Sequence, residues 1–463
     1  MSIPRVDLLI VRGVVLTVDA DRRIFANGAI AIKGNRIEAV GPSAEIERLY
    51  TATRTIDADG GVVHPGFIDC HVHLSQHLGR GTIPDIWPEE REHEQWFPYW
   101  THMNEEDAAC SAMLACLEML RNGTTAFADN GGRFQGELNA FVARRVGLRA
   151  MVGEVCWDIP PYPEVAIGDT RMCLQRLERL VAALPFTEDS RVWSGVSLAG
   201  MGYCSDALVA GAKAIARNAG VTLDLHQSFG SADTQAYRRH AGGATASAHL
   251  ERLGVLDDQT QLVHMIHTDP SEIEILLRTG TNVIHCPAAS TRVAMGVSHV
   301  GHFPEMVDAG VNVALGSDSG NYSDFFDIGR QAYLTATIHR EARGRMPVIS
   351  AEQVIEMATI NGARALGIAD RTGSLEPGKM ADLVIHSKSR PEWHPGLDPV
   401  NSLIYSAQSV SVDTVIVDGN ICLENGRATR VNETSEYRDI DRSARALYER
   451  MGYRIPHRWP VVE

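Results

Sequence analysis

The spacing of hydrophobic and polar positions divides the chain into three stretches. Residues 5–63 contain short apolar runs such as DLLIVRG and AIAIKGN, separated by Gly and Asn, and this pattern predicts a small antiparallel β unit. From about residue 64 to 365, short runs rich in β-branched residues alternate with longer amphipathic segments. Beyond residue 366 the strand-and-turn pattern returns in ADLVIHS and VDTVIVDGNICLENG. The two ends therefore resemble each other more than either resembles the middle.

Eight apolar runs of the middle stretch predict eight parallel strands, each followed by a helix: FIDCHVHL, TTAFAD, RAMVGEV, VWSGVSL, VTLDLHQ, QLVHMIH, NVIHCP and NVALGSD. Such repeats over about 300 residues are typical of the (β/α)8 barrel, whose active sites lie at the C-terminal strand ends. The predicted fold class is therefore α/β, with a TIM barrel over residues 64–365. Residues 1–63 and 366–463 are predicted to form a small composite β-sandwich plus a C-terminal tail.

Composition and charge exclude several classes of partner. The 463 residues carry a net charge of −15, and so acidic a surface repels phosphate backbones, so we expect no nucleic-acid partner. No run approaches the ~20 apolar residues of a spanning helix, so we expect no membrane insertion. The eight cysteines are scattered without a CxxC pair, and the N-terminus does not resemble a signal peptide. We therefore expect a cytoplasmic protein with reduced thiols.

Potential metal ligands fall at the predicted strand ends. His71 and His73 end the first strand, and because residues i and i+2 of a strand share a face, both can point into the barrel mouth. The fifth, sixth and seventh strands add His226, His264 and His285, and the eighth adds Asp318, so a third imidazole from across the barrel and one carboxylate can complete a four-ligand site. An HxH pair alone is weak support in a chain with 18 histidines, so the coincidence with strand ends carries the prediction. The set suits a divalent ion, with zinc favoured and cobalt or iron as alternatives.

Several motifs, in order along the chain, resemble those of the metal-dependent amidohydrolase superfamily: PGFIDCHVHL, LDLHQS, LVHMIHTDPSEIEIL, VIHCPAAS, LGSDSGNYSDFFD and SLEPGKMADLVI. The resemblance covers nearly the whole chain, and its nearest branch contains atrazine chlorohydrolase, guanine deaminase and cytosine deaminase. It implies a metal-dependent hydrolase that acts on a small organic substrate. By family habit it also implies a homo-oligomer of two or more chains.

The resemblance implies a role for each of the strand-end residues. His71, His73 and His226 match the metal ligands of the family. Asp318 matches the aspartate that both binds the metal and shuttles the proton. His264 matches the sixth-strand histidine, which polarises the substrate or positions the water. The predicted catalytic residues are therefore Asp318 and His264.

Two further histidines leave alternatives open. His267 competes with His264 for the sixth-strand role, but strand alternation puts residues 264 and 266 on one face and 267 at or beyond the strand end. This alternation favours His264. His285 begins the seventh-strand HCP motif, where it is either a substrate contact or a structural hydrogen-bonding group.

Two departures from the family pattern narrow the expected chemistry. Binuclear members bridge their metals with a carboxylated lysine of the fourth strand, but RVWSGVSLAGM contains no lysine, so we expect one metal ion per chain. Deaminases of this branch carry a Glu three residues after the fifth-strand histidine, to protonate a ring nitrogen, and here that position is Phe229. Without such a donor, deamination of a purine or pyrimidine loses a central step.

Aromatic residues also gather in the segment Trp87–Trp100, after the first strand. We expect Trp87 and Trp96, together with Gln227 and Phe229, to contact an apolar or aromatic substrate. The alternative is a loop that only packs on the barrel, which would have the same composition.

These features resemble the subgroup that contains phenylurea hydrolase and molinate hydrolase. The predicted function is therefore hydrolysis of the carbonyl C–N or C–S bond of an N-substituted urea or (thio)carbamate, with the phenylurea type favoured. The alternative is a deaminase or dechlorinase of a triazine, purine or pyrimidine. A metal-binding scaffold that has lost activity fits less well, because every expected ligand and the catalytic aspartate are present.

Overall fold

In the computed structural model, the N-terminal sequence forms the first strands of a sheet. The structure describes residues 3–83, 85, 92–132, 134, 136–160, 165–200, 202–407, 409–457, 459–460 and 462. The first strands are β1 (Arg5–Leu16), β2 (Ile24–Lys33), β3 (Arg36–Pro42), β4 (Thr51–Asp57) and β5 (Val62–Pro65). Gly34, with a φ of 60°, supplies the left-handed residue that the two-residue turn between β2 and β3 requires.

The next strands form the barrel wall: β6 (Phe67–His73), β7 (Thr124–Asp129), β8 (Arg149–Val152), β9 (Val192–Ser194), β10 (Val196–Leu198), β11 (Leu223–Gln227), β12 (Thr260–His264), β13 (Asn282–His285), β14 (Val313–Leu315) and β15 (Asp318–Ser319). β9 with β10, and β14 with β15, are the two halves of interrupted strands. Parallel pairing runs from β10 to β14 and from β15 through β6 to β9, so the two arcs close an eight-stranded barrel. All residues of β6 and β7 are buried, as expected for parallel strands covered on both faces.

Most of the helices lie between barrel strands along the chain. The helices are α1 (Ser43–Leu49), α2 (Phe97–His102), α3 (Glu105–Arg121), α4 (Gly136–Val146), α5 (Thr170–Ala183), α6 (Asp206–Ala219), α7 (Ser231–His240), α8 (Ala246–Arg252), α9 (Ser271–Thr279), α10 (Pro287–Arg292), α11 (Val297–Val300), α12 (Phe303–Ala309), α13 (Ile328–Arg343), α14 (Ala351–Ala358), α15 (Ile360–Ala365), α16 (Pro399–Asn401) and α17 (Glu433–Met451). Asn104 and Asp107 form a reciprocal capping box at α3, which explains why that helix begins there. Among the described residues, no helix combines the length and apolar character needed to cross a membrane.

Both ends of the chain complete one nine-stranded sheet. Its C-terminal strands are β16 (Leu383–His386), β17 (Val412–Val417), β18 (Asn420–Glu424) and β19 (Arg427–Ala428). β16 pairs antiparallel with β5 and so joins the two ends of the chain in the order β19-β18-β17-β16-β5-β1-β2-β3, with β4 on β1. The predicted α/β fold, a barrel with a β domain built from both chain ends, is confirmed.

Two details of the end regions differ from the expected pattern. β1 pairs in parallel with β4 and with β5, where the short turns predicted antiparallel pairing throughout, because α1 carries the chain back before β4 begins. The charged C-terminal helix α17 packs on the barrel helix α3, where Ile440 and Leu447 enter a shared hydrophobic core with Leu117 and Leu120. The C-terminal segment is therefore in contact with the barrel.

Candidate metal centre and active site

Four histidines and one aspartate meet at the C-terminal mouth of the barrel. His71 and His73 end β6, His226 lies in β11, His264 ends β12 and Asp318 begins β15. The backbone turns sharply at the last two positions, since His264 has a φ of 77° and Asp318 a φ of 68°. Potential ligand atoms of His71, His226 and His264 lie within 4.8 Å of one another, and so do those of His71, His73 and Asp318. The structure therefore brings these five predicted residues together.

The imidazole rings are held so that their Nε2 atoms face the cluster. Nε2 of His73 lies 3.3 Å from Nε2 of His226 and 3.7 Å from Oδ1 of Asp318. On the outer side, each of three rings places Nδ1 near an oxygen acceptor. These pairs are His71 with Oδ2 of Asp224 at 3.5 Å, His73 with the carbonyl of Gly131 at 3.3 Å, and His226 with the carbonyl of Leu198 at 3.4 Å. Since Nδ1 is the donor in each pair, the Nε2 lone pairs remain available to a metal.

The buried polar atoms of the cluster fit a divalent cation. Nε2 of His71 and Nδ1 of His264 are buried and have no hydrogen-bond partner. Two neutral rings that both present an Nε2 lone pair at 3.3 Å, as His73 and His226 do, repel each other unless a cation lies between them. Three imidazoles and a carboxylate are a ligand set that zinc and related ions accept. The donor set therefore fits the metal predicted from the sequence.

The protonation state of the rings also suits metal binding. Burial lowers the pKa of His71, His73 and His264 well below the usual range, and the neighbouring rings lower it further. Burial likewise lowers the pKa of His226. All four rings are therefore neutral near pH 7, which is the form of imidazole that binds metals.

Two buried carboxylates beneath the cluster were missed by the sequence reasoning. Asp224 faces His71 and accepts a hydrogen bond from Asn130 at 3.0 Å, while Oδ1 of Asp69 accepts one from the backbone N–H of Ser317 at 2.9 Å. Burial raises the pKa of each carboxyl to about 7. Each aspartate stands two residues before a predicted ligand and so shares its strand face. That spacing was a signal that could have identified both.

A cavity of about 180 Å³ opens over the cluster. Its described lining is mostly aromatic or apolar: His73, Gln76, Trp96, Trp100, Val155, Trp157, Ala199, Tyr203, His226, Phe229, His264, Met295, Asp318, Ser319 and Tyr322. Within the part of the chain that the structure describes, Asp318 supplies the one carboxylate of this lining. The cavity is therefore small and largely apolar, with the carboxylate of Asp318 and the imidazoles of the cluster in its wall.

Two of the aromatic residues predicted to contact substrate lie in the cavity wall. Trp96 stacks on Trp100 with ring centroids 5.4 Å apart, and both rings line the cavity. Phe229 is half-buried and meets the ring of His264 edge-on at 5.8 Å. Trp87, the remaining aromatic prediction, lies outside the described residues.

Two other predicted substrate contacts do not reach the cavity. Gln227 follows His226 on β11, so its side chain takes the opposite face, and it is buried away from the lining. His285 stacks on Phe303 at 3.8 Å and places Nε2 3.4 Å from Nε2 of His339, so its ring faces the outer helices. Neither Gln227 nor His285 therefore lines the cavity over the cluster, where the sequence predicted both.

The competing histidine and the barrel's lysine also lie away from the cluster. His267 places Nε2 3.0 Å from the carbonyl of Met295 and is absent from the cavity lining, whereas His264 is part of it. Lys213, on α6, is buried against Asp257 and donates to Thr260 at 2.8 Å. The described residues of β9 and β10 contain no lysine that could bridge two metals.

Comparison with known proteins identifies the family of this chain. The sequence profile of the amidohydrolase family matches residues 62–422. A 5-methylthioadenosine/S-adenosylhomocysteine deaminase of Syntrophobacter fumaroxidans is 35% identical over 433 residues, which cover 93% of this chain and 96% of that relative. A 5'-deoxyadenosine deaminase of Methanosarcina acetivorans is 30% identical over 448 residues, 96% of this chain and 99% of the relative.

Two solved structures of hydrolytic enzymes share the fold of this chain over nearly its whole length. An adenosine deaminase from Xanthomonas campestris with bound zinc superposes with a TM-score of 0.88 at 25% identity, covering 97% of this chain and 100% of that one. Atrazine chlorohydrolase from Arthrobacter aurescens, complexed with zinc, gives a TM-score of 0.87 at 23% identity over 94% and 100% of the two chains. The family predicted from the motifs is confirmed, and the chain belongs to the amidohydrolase family of hydrolytic enzymes.

Proposed function

We propose that this enzyme is a metal-dependent deaminase that displaces an amino group from a small aromatic nitrogen heterocycle. The observation that carries the proposal is the His–Asp cluster in the lining of a cavity whose walls include Trp96, Trp100 and Trp157. A flat ring can stack on such walls while its amino-bearing carbon approaches the cluster. Relatives at 35% and 30% identity that are named as deaminases support this reading over the urea and carbamate hydrolysis that the sequence favoured.

In this proposal His71, His73, His226 and Asp318 hold one divalent metal ion. Zinc is the preferred candidate, because solved structures with the same fold contain it. When bound, the ion supplies the Lewis acidity that makes water a nucleophile near neutral pH. A single ion is expected because no lysine lies in β9 or β10 to bridge a second one.

Asp318 and His264 carry the proton transfers and the charge stabilisation. Asp318 takes a proton from the attacking water and returns it to the departing amino nitrogen, so that ammonia leaves as a neutral molecule. His264, which lines the cavity beside His226, hydrogen-bonds the attacked end of the substrate as charge develops there. The aromatic walls exclude bulk water, which strengthens both interactions.

Phe229 is the residue that sets this enzyme apart from the deaminase pattern. The ring nitrogen of a heterocycle gains a proton as the tetrahedral carbon forms, and an aromatic side chain cannot donate it. Tyr203 and Tyr322 are the described lining residues whose side chains carry a phenol, and Asp318 carries the one carboxyl. If the substrate is a purine, these groups and His264 are the candidates among the described lining residues for delivering the ring proton.

The same residue favours a second candidate function. An acyclic urea or carbamate needs no ring protonation, and the ring of Phe229, edge-on to His264, could pack against its N-alkyl or N-aryl group. Hydrolysis of an N-substituted urea or (thio)carbamate is therefore the alternative to be tested beside deamination.

The test is a substrate panel with purified protein reconstituted with one equivalent of zinc. Ammonia release is measured with 5'-methylthioadenosine, 5'-deoxyadenosine, guanine and an aminotriazine, and amine release with N-aryl ureas and N,N-dialkyl thiocarbamates. We expect ammonia release from at least one amino heterocycle, with a larger kcat/KM than for any urea. The Asp318→Asn protein is the control for contaminating activity. Efficient hydrolysis of a urea or carbamate alone would replace the proposal with the second candidate, and no turnover of either class would refute both.

A further inference from the structure

A tyrosine of the C-terminal helix hydrogen-bonds to residues 82 and 95, the second of which directly precedes the aromatic wall of the cavity. The hydroxyl of Tyr448, on α17, lies 2.6 Å from Oγ1 of Thr82, and Nε2 of Gln95 lies 2.6 Å from the same Oγ1 and 3.3 Å from the tyrosine oxygen. Oγ1 of Thr82 is also 2.5 Å from the carbonyl of Gly79. We call these three side chains, Thr82, Gln95 and Tyr448, the Tyr448 clasp.

The direction of each hydrogen bond in the clasp follows from its acceptors. The Gly79 carbonyl can only accept, so the Thr82 hydroxyl donates to it. The Thr82 oxygen then accepts from both the Tyr448 hydroxyl and the Gln95 amide. Loss of the tyrosine hydroxyl therefore removes a donor from Thr82 and an acceptor from Gln95.

The clasp is continuous with the wall of the substrate cavity. Gln95 is buried and precedes Trp96, whose ring lines the cavity and stacks on Trp100. Trp100 in turn lies 5.8 Å from Trp157, another lining ring. Gln95 thus immediately precedes the first ring of a row of three tryptophans.

The helix that carries the tyrosine is itself held firmly on the barrel. Ser443 donates to Oδ1 of Asp107 at 2.7 Å, and the guanidinium of Arg450 pairs with the same carboxylate. Ile440 and Leu447 are buried on the same helix. The hydroxyl of Tyr448 is therefore presented by a rigid element.

We propose that Tyr448 is a positioning residue for substrate binding: through Thr82 and Gln95 it holds Trp96 in the cavity wall. This inference rests on the proposed function only in that the cavity is taken as the substrate site. It assigns to the C-terminal helix a part in recognition, although that helix contributes no described residue to the cavity lining.

The test is Tyr448→Phe, which removes the hydroxyl and keeps the ring, with Tyr437→Phe as the matched control. Tyr437 lies on the same helix, and its hydroxyl contacts only Glu433 among the described hydrogen bonds, at 3.5 Å. We expect Tyr448→Phe to raise KM by about three- to ten-fold, the size of one lost neutral hydrogen bond, with kcat and metal content unchanged. Tyr437→Phe should leave all three quantities unchanged.

A double-mutant cycle and hydrogen exchange separate the clasp from the function. Thr82→Val should raise KM similarly, and the double variant should be no worse than the worse single variant, because both changes break one network. Amide exchange over residues 92–103 should be faster in Tyr448→Phe than in Tyr437→Phe. Additive effects on KM, a fall in kcat without a rise in KM, or unchanged exchange would overturn the clasp. If the wild type hydrolyses no panel substrate, the proposed function fails, and the exchange comparison alone decides the clasp.

Discussion

Two buried polar clusters lie at opposite ends of the barrel strands, and they differ in how completely their polar atoms are paired. At the N-terminal end, Arg149 donates from Nε to Oδ2 of Asp382 at 2.8 Å and from Nη2 to Oδ1 at 3.3 Å. Asp382 also accepts from the backbone N–H of Asp418 at 2.6 Å, and Asp418 accepts from Arg149 at 3.4 Å. This cluster joins β8 to the sheet built from the chain ends, and no buried side-chain nitrogen or oxygen of these three residues lacks a partner.

At the C-terminal end, several buried ring nitrogens lack a hydrogen-bond partner or face another nitrogen. His71 and His264 each bury a ring nitrogen that has no partner, and the Nε2 atoms of His73 and His226 face each other. A buried polar atom without a partner costs about 1–3 kcal/mol, so a fold tolerates several at one place only when something else satisfies them. We therefore interpret the first cluster as structural and the second as a ligand site. This agrees with the general rule that the N-terminal face of such barrels serves stability and the C-terminal face carries the active site.

The largest expected effect is on the aspartate of the ligand site. Asp318→Asn should lower kcat by about 10³-fold or more, because an amide neither accepts the water proton nor balances the charge of a metal ion. Zinc content must be measured on the same sample, since part of the loss could be loss of metal. Wild-type turnover by a zinc-loaded Asp318→Asn protein would contradict the role assigned here.

The paired cluster should respond in stability and not in catalysis. Arg149→Met leaves Asp382 buried without its cation, and breaking a buried pair typically costs about 3–5 kcal/mol of unfolding free energy. Arg12→Met is the matched control, because Arg12 pairs with Asp57 at the surface, where a salt bridge contributes at most about 1 kcal/mol. Urea unfolding followed by circular dichroism measures both. Equal losses of unfolding free energy in the two variants would show that the buried Arg149–Asp382 pair contributes no more to stability than a surface salt bridge.

His264 tests whether a member of the ligand site can act without binding the metal. Its ring lies close enough to His71 and His226 to be a ligand, yet the proposal gives it the substrate-polarising role. His264→Ala should therefore lower kcat by about 10²–10³-fold while zinc content stays near that of the wild type. His267→Ala, the neighbouring control, should leave kcat within a factor of about two, because His267 bonds the backbone carbonyl of Met295 and its own side chain does not line the cavity. Loss of zinc from His264→Ala would make it a ligand.

The sequence predicted the barrel and the ligand cluster because both depend on local patterns. Strand alternation places His71 and His73 on one face, and the ends of parallel strands meet at one mouth whatever the details of packing. The same rule, applied two residues earlier, would also have indicated Asp69 and Asp224. These features depend on period and position, which a sequence displays directly.

What the sequence could not predict depends on single-residue register and on distant pairing. Gln227 lies one step of alternation from His226 and is buried away from the cavity lining, and the ring of His285 packs against Phe303 and His339, which come from helices later in the chain. Tyr448 reaches Thr82 from 366 residues away. Hydrogen bonds of this kind are set by how helices pack on the finished barrel, and no local pattern encodes them.

Phe229 should show a binding effect that is smaller than the catalytic ones. Phe229→Ala should raise KM about tenfold or more, with less change in kcat, because a buried aromatic side chain contributes about 1.5–3 kcal/mol of apolar contact. Steady-state kinetics on the best panel substrate measures the split. Phe229→Glu distinguishes the two candidate functions. A faster deamination would indicate that ring protonation limits the rate of the wild type, whereas a faster urea hydrolysis would argue against the proposed deaminase function.

The smallest expected effect concerns a second satisfied pair at the barrel–sheet junction. His64 donates from Nδ1 to the Pro65 carbonyl at 2.7 Å, so its Nε2, 3.0 Å from Nε2 of His386, accepts in the neutral form. His386 then donates through Nε2 and accepts from Ser411 at 2.8 Å. The network is complete only when both rings are neutral, and burial accordingly lowers the pKa of His64 to about 4 and that of His386 well below its usual range.

Because these folded-state pKa values are depressed, the unfolded chain binds more protons than the folded protein as the pH falls below about 6.5. The free energy of unfolding therefore decreases from there down toward pH 4. Each ring contributes a slope of at most about 1.4 kcal/mol per pH unit. His64→Gln should therefore be less stable than the wild type at pH 7.5, but its unfolding free energy should fall less steeply between pH 6.5 and pH 5. Urea unfolding across that range measures the slopes, with His299→Gln, at an exposed position, as the control. Identical slopes in wild type and His64→Gln would mean that His64 takes up its proton in the folded protein as readily as in the unfolded chain. The histidine pair would then not be the fully paired network that distinguishes the junction from the open ligand site.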